Sequence, residues 1–299
     1  MDQAERLRAA FAQKNRENTT QPQEEKTARI ITITSGKGGV GKSNMSVNLA
    51  VEFTKMGKKV IIFDADLGLA NVEVMFGAMP ELNLSHVIYK GMSIKDVITE
   101  GPMGIGFVSG GSGIVGLNNL SADQINFLVH NLTELGKMCD VLIIDTGAGV
   151  SDSVLSFVLS SPEVILVSTP EPSSLTDSYS LMKALYKNDS FAKNNAIVHV
   201  VANKVTSYAE GQLVYEKLQT VVKQFLGGNL AYLGMIPQDP TLEKAVRLQQ
   251  LVTIDYPTSK SAKAFNLIAN NLEKKESVAA EKKATLGQLF SNFFRKGTK

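Results

Sequence analysis

Arg29-Ile30-Ile31-Thr32-Ile33-Thr34-Ser35-Gly36-Lys37-Gly38-Gly39-Val40-Gly41-Lys42-Ser43 is the stretch that decides how this chain is read. A β-branched apolar run leads into Gly36–Ser43, which fits G-x-x-x-x-G-K-[ST], and a helix-length segment follows. The glycines let the backbone close around anionic oxygens with their N–H groups inward, Val40 included, and a helix opening at Lys42 adds the positive end of its dipole. Lys42 is placed for the β- and γ-phosphates of a nucleotide and the Ser43 hydroxyl for Mg2+.

Working outward, short apolar runs alternate with helix-length segments: 29–34, 58–64, 104–109, 139–145, 163–169, 196–203 and 230–237. They are apolar on both faces, as strands buried between helix layers must be. This predicts an α/β fold with a doubly wound, mostly parallel sheet of about seven strands, of the phosphate-loop NTPase type. In such a sheet the carboxyl ends of strands next to the loop line the ligand crevice. Asp64 and Asp66 end the second run and Asp145 ends CDVLIID, so all three carboxylates belong beside the loop, with Gly147 and Gly149 behind Asp145 suited to a segment that responds to the γ-phosphate.

The second lysine of the loop, Lys37, makes the chain resemble the deviant Walker ATPases of the MinD/ParA class. The resemblance implies ATP or ADP with Mg2+ as ligands and catalysis by Lys37, Lys42 and Asp66. Lys37 would cross a homodimer interface to the partner's nucleotide, Asp66 would orient the attacking water, and Ser43, Asp64 and Asp145 would serve the metal. The loop Gly36, Lys37, Gly38, Gly39, Val40, Gly41, Lys42 and Ser43 would hold the phosphates. Asn203 resembles the residue that reads the adenine edge, and Pro237-Gln238-Asp239 the loop that packs on the base. Glu171, in STPEPSS, receives no role from the sequence.

The two ends carry separate signals. Residues 1–29 read as an N-terminal motif and linker, 30–274 as the ATPase domain, and 275–299 as a tether with an amphipathic helix. Leu286, Leu289, Phe290, Phe293 and Phe294 recur at helical spacing and Lys282, Lys283, Arg295 and Lys296 flank them, which suits insertion into an anionic membrane surface. Asp2-Gln3-Ala4-Glu5-Arg6-Leu7-Arg8 resembles the activator helix of the flagellar, FlhG-type members of the class. That implies an FlhF-like GTPase of the signal-recognition type as partner, met by Gln3, Leu7 and Arg8. Whether a flagellar rotor component or a flagellar transcription activator is also contacted stays open. The implied task is control of flagellar number and placement, with division-site and DNA-partition ATPases of the same class as the alternatives.

Composition narrows the field further. With 299 residues, 43% hydrophobic and 20% charged, most of the chain should fold. The charged N-terminus and the lack of a long apolar run lead us to expect a cytoplasmic protein held peripherally on the inner membrane face. The net charge of +2 divides into +4 over 273–299 (7 basic, 3 acidic), +1 over 1–29 (6 and 5) and −3 over the rest (18 and 21). Nucleic acid is the weaker reading of that basic tail, because phosphate contacts would not need the phenylalanine stripe. A metallocluster carrier would need paired cysteines, and Cys139 is single. A non-catalytic adaptor would not need Asp66. His86, His130 and His199 lack ligand spacing and read as core or surface residues.

The tail reading makes a direct prediction. Phe293→Glu keeps every basic residue and puts a carboxylate in the apolar stripe, so ATP-dependent co-sedimentation with anionic vesicles should be lost while ATP turnover in solution is nearly unchanged. Vesicle binding that survives Phe293→Glu and vanishes when the four basic residues are neutralised would favour phosphate contact instead.

Overall fold

The structure, a computed structural model, describes residues 28–66, 71–111, 122–188, 191 and 197–279, with the backbone alone at 122, 125, 126, 128 and 275–279. The terminal motif residues Gln3, Leu7 and Arg8, and the stripe Leu286, Leu289, Phe290, Phe293 and Phe294, lie outside the described residues.

The strands are β1 (Arg29–Ser35), β2 (Val60–Ala65), β3 (Thr99–Glu100), β4 (Gly106–Val108), β5 (Val141–Ala148), β6 (Glu163–Ser168), β7 (Ile197–Val205) and β8 (Ala231–Pro237). They form one sheet in the order β3-β4-β2-β5-β1-β6-β7-β8. Every pairing is parallel except β3 with β4. The expected doubly wound sheet is therefore present, with an eighth strand at one edge. A two-residue strand is too short to show either alternation or an apolar run, which is why the sequence did not reveal β3.

Helices α1 (Lys42–Lys55), α2 (Asn71–Phe76), α3 (Leu84–Lys90), α4 (Ala122–Lys137), α5 (Asp152–Leu159), α6 (Pro172–Tyr186), α7 (Tyr208–Leu226), α8 (Pro240–Arg247), α9 (Val252–Asp255) and α10 (Lys260–Ala279) cover both faces. Strand residues alternate between the layers. Ile31, Ile33, Ile62, Ile143 and Ile165 pack with α1 and α10, through Met45, Leu49, Phe53, Phe265 and Ile268. Ile61, Phe63, Leu142 and Ile144 meet α3 and α4, while Val164, Leu166, Val198 and Val200 meet α6 and α7. α10 runs to Ala279, past the boundary expected at 274: 273–279 is charged but consists largely of Glu, Lys and Ala, which sustain a helix.

At the amino ends of the central strands, away from the phosphate loop, a charged cluster joins the two ends of the domain. Arg29 donates Nε and Nη2 to the two Glu163 oxygens (2.9 and 3.0 Å), Nη1 to Glu273 (3.4 Å) and Nη2 to the Leu272 carbonyl (3.1 Å). Lys58 pairs with Glu273 at 2.6 Å, and His199 Nε2 lies 3.1 Å from Glu163. The burial of Glu163 works against its charge, but the bonds and charges of His199 and Arg29 prevail and hold its carboxyl below the usual range. Glu163→Ala, which removes the two-point partner of the largely buried Arg29, should cost about 2–4 kcal/mol in denaturant unfolding. A loss under about 0.5 kcal/mol would show that the cluster is not what joins the ends.

Candidate nucleotide and metal site

The loop leaves β1 between β5 and β6, where successive strands are laid down on opposite sides of β1, and there an open α/β sheet forms its ligand crevice. Two glycines are required by the local geometry. A Cβ on Gly36 would lie 2.1 Å from the backbone carbon of Asp177 in α6, so only glycine lets the loop start against that helix. Gly41 has φ +99 and caps α1 with no side-chain hydrogen bond, and the first turn of α1 has no acidic residue. The N-terminal N–H groups of α1 are thus left to an external anion. Lys42 beside them is buried, 8% exposed. Burial lowers its pKa, and the charges of Asp145 and Asp66 oppose that shift.

Asp64 of β2 and Asp145 of β5 are register partners on adjacent strands. Asp64 accepts from the backbone N–H of Asp66 (3.1 Å) and of Val72 (3.1 Å), so both of its oxygens are engaged and it also fixes the start of α2. Burial, followed by the charge of Asp145, pushes its pKa up to about 8. Asp145 is fully buried and neither of its oxygens has a hydrogen-bond partner among the described residues. Burial raises its pKa to about 6 against partial relief from the nearby hydroxyls of Ser43 and Ser46 and from Lys42. The Ser46 hydroxyl donates to the Lys42 carbonyl, 3.1 Å away. An orphaned buried carboxylate next to the Ser43 hydroxyl is an all-oxygen donor set that fits Mg2+, with Asp64 engaged behind it. Asp66 is half-buried, accepts from Asn71 Nδ2 at 3.2 Å, and lies 3.5 Å from where a Cβ on Gly147 would stand. Gly149 has φ +88 and donates its N–H to the Ser35 carbonyl (2.9 Å), tying the segment after β5 to the end of β1.

Lys37 does not face this crevice. Its Nζ binds Glu171 (2.7 Å) and the Ser173 hydroxyl (2.8 Å) at the start of α6, and that bond and charge lower the Glu171 pKa, with a smaller share from Lys204. Asn203, buried at the end of β7, donates Nδ2 to the Val40 carbonyl (2.7 Å) and accepts the Lys204 N–H (2.8 Å). Pro237 ends β8, and the exposed Gln238 donates its N–H to the Val205 carbonyl (2.8 Å). Asp239 has both oxygens occupied. One accepts the Thr241 N–H (2.9 Å), capping α8, and the other the Ser261 N–H (3.0 Å) and hydroxyl (2.8 Å). Its carboxylate builds the loop next to Asn203. Sequence reasoning left Glu171 and Lys204 without roles. The signal available for them was topological, since β6 and β7 lie successively beside β1.

The family model for the NUBPL iron-transfer P-loop NTPases (ParA) matches residues 26–273. The chain belongs to the ParA family of P-loop NTPases. It is 40% identical to the antiactivator FleN of Pseudomonas aeruginosa over 245 residues, 82% of this chain and 86% of that one. It is 35% identical to the flagellum site-determining protein YlxH of Helicobacter pylori, over 84% of each chain. Among solved structures, the Mg-ADP complex of the septum site-determining protein MinD from Pyrococcus horikoshii superposes with a TM-score of 0.67 at 25% identity, covering 85% of this chain and all of that one. This ParA-family chain is therefore a P-loop ATPase of the MinD type. Cys139, the single cysteine of the sequence, is buried next to β5.

The buried carboxyls give the site a pH signature. An acid whose pKa is raised on folding binds its proton more tightly in the native state, so its contribution to stability is lost as pH rises from its unfolded value to its folded one. For Asp145 that window closes near pH 6 and for Asp64 near pH 8. The melting temperature of the nucleotide-free protein should fall between pH 6 and 8, and Asp64→Asn should flatten that slope. An unaltered slope in the variant would assign it to other groups.

Proposed function

We propose that the chain is an ATP-dependent dimerising switch that regulates flagellar number and placement. The observation that carries this reading is 40% identity to FleN over 82% of the chain, together with an intact phosphate loop that has the second lysine. Phosphates of ATP or ADP are bound by the loop 36–43 and the free N–H groups of α1, with Lys42 buried against them. Ser43 and Asp145 hold Mg2+, supported by Asp64, and the ion supplies charge neutralisation at the transferred phosphoryl group. Asp66 orients water, and Asn203 with the loop Pro237–Asp239 borders the base.

In the isolated chain Lys37 is held by Glu171, a pair whose side chains are 36% and 57% exposed. An exposed pair of this kind is weak, so Lys37 can leave it for the phosphates of a second copy with little loss. Catalysis then rests on positioning and charge: Lys42 in one subunit and Lys37 from the other meet the developing charge while Asp66 holds the nucleophile. The two ends act as effectors. Gln3, Leu7 and Arg8 engage an FlhF-like GTPase, and the stripe Leu286, Leu289, Phe290, Phe293 and Phe294 of each subunit binds an anionic membrane. Two such short helices on one dimer act together through effective concentration, so membrane residence follows nucleotide state and peripheral association is reversible.

Lys37→Ala separates the steps. It should still bind Mg·ATP, because Lys42 and the loop amides remain, but stay monomeric on gel filtration with ATP and fail to restore flagellar number in a deletion strain. A variant that dimerises normally, or a deletion strain with normal flagella, would overturn the reading.

A further inference from the structure

Two consecutive carbonyls of the phosphate loop are held by two consecutive residues of β7. Asn203 Nδ2 takes the Val40 carbonyl at 2.7 Å and Lys204 Nζ takes the Gly39 carbonyl at 2.9 Å. In a regular strand, neighbouring side chains point to opposite faces, so both could not reach one loop. Here the pairing of β7 with β8 shifts register between Asn203 and Val205, and Lys204 stands at φ +57, in the left-handed region that favours glycine. A lysine kept in such a conformation while exposed to solvent points to a role for its ammonium group.

That role follows from the planar peptide, whose C=O and N–H point in opposite directions. Fixing the Gly39 carbonyl outward aims the Val40 N–H inward, just as fixing the Val40 carbonyl aims the Gly41 N–H. Gly39 itself, at φ +75 with open space around its α-carbon, has no steric reason to keep that peptide in one orientation. We propose that Lys204 is a positioning residue: through the Gly39 carbonyl, its ammonium sets the Val40 N–H as a phosphate donor. Lys204 also contributes positive charge near Glu171, the carboxylate that Lys37 would give up on dimerisation. The inference rests on the reading of 36–43 as a nucleotide site and adds a residue from outside the loop that shapes it.

The test is calorimetric binding of Mg·ADP, steady-state ATP turnover, and the amide resonance of Val40 in the full chain. Lys204→Met should weaken ADP roughly tenfold and raise KM similarly while kcat changes less than about twofold, since a donor to the phosphates is lost in ground and transition states alike. The Val40 amide shift seen on ADP addition should shrink. Lys204→Arg should restore affinity to within about threefold, because a cationic donor is retained. Lys204→Gly relieves the backbone strain, so it should melt above Lys204→Met yet bind ADP as weakly. Wild-type affinity in Lys204→Met, or affinity regained in Lys204→Gly, would overturn the role. A wild-type protein that bound no nucleotide would instead sink the reading beneath it, and this role with it.

Discussion

The N-terminus of α1 is left without a cap, and most of the site is arranged around that omission. A helix start ordinarily satisfies its free N–H groups with a serine, threonine or aspartate side chain. Here the preceding residue is a left-handed glycine, the first turn has no carboxylate, and Lys42 is buried beside it. Positive potential is concentrated at the one place where the sheet changes winding direction. The neighbouring carboxyl groups Asp64 and Asp145 sit on adjacent strands and are themselves short of solvent. Each half of the site is destabilised by burial, and a magnesium nucleotide has the charges that match both halves.

The rest of the fold holds this arrangement in place with close backbone approaches. Gly36 lets the loop rest on α6, the small hydroxyl residues Ser174 and Ser178 let α6 approach β6, and Gly149 binds the segment after β5 to the end of β1. Asp64 links the crevice to α2 through the Val72 N–H, so a change in charge at the metal position bears on that helix directly. Lys37 of the loop reaches toward α6. Its ammonium group is held at the start of α6 by Glu171 and the Ser173 hydroxyl.

Much of this was legible in the sequence because the main determinants are local. The strand–glycine loop–helix run fixes the position of Lys42 and Ser43, and apolar runs on both faces announce a sheet covered by two helix layers. The carboxylates could be placed because parallel strands all end on the same edge. What escaped depends on neighbours distant along the chain. β3 exists only through its pairing with β4. The engagement of both Asp239 oxygens needs Ser261, and Lys204 gains meaning only because β7 brings it to Gly39 across 165 positions. The charge of 273–279 does not end α10, because glutamate, lysine and alanine carry a helix further.

The cluster around Arg29 bears on how the molecule carries load. Arg29 at the head of β1 is bonded to Glu273 and to the Leu272 carbonyl of α10, so the first strand and the last helix are tied together at one point. A force that tends to part β1 from α10 is therefore met at the root of β1. β1 is flanked by β5 and β6, whose hydrogen bonds would be loaded together in shear and not opened one after another. Force entering at Arg29 is thus shared across the middle of the sheet before it reaches the phosphate loop at the other end of the same strand.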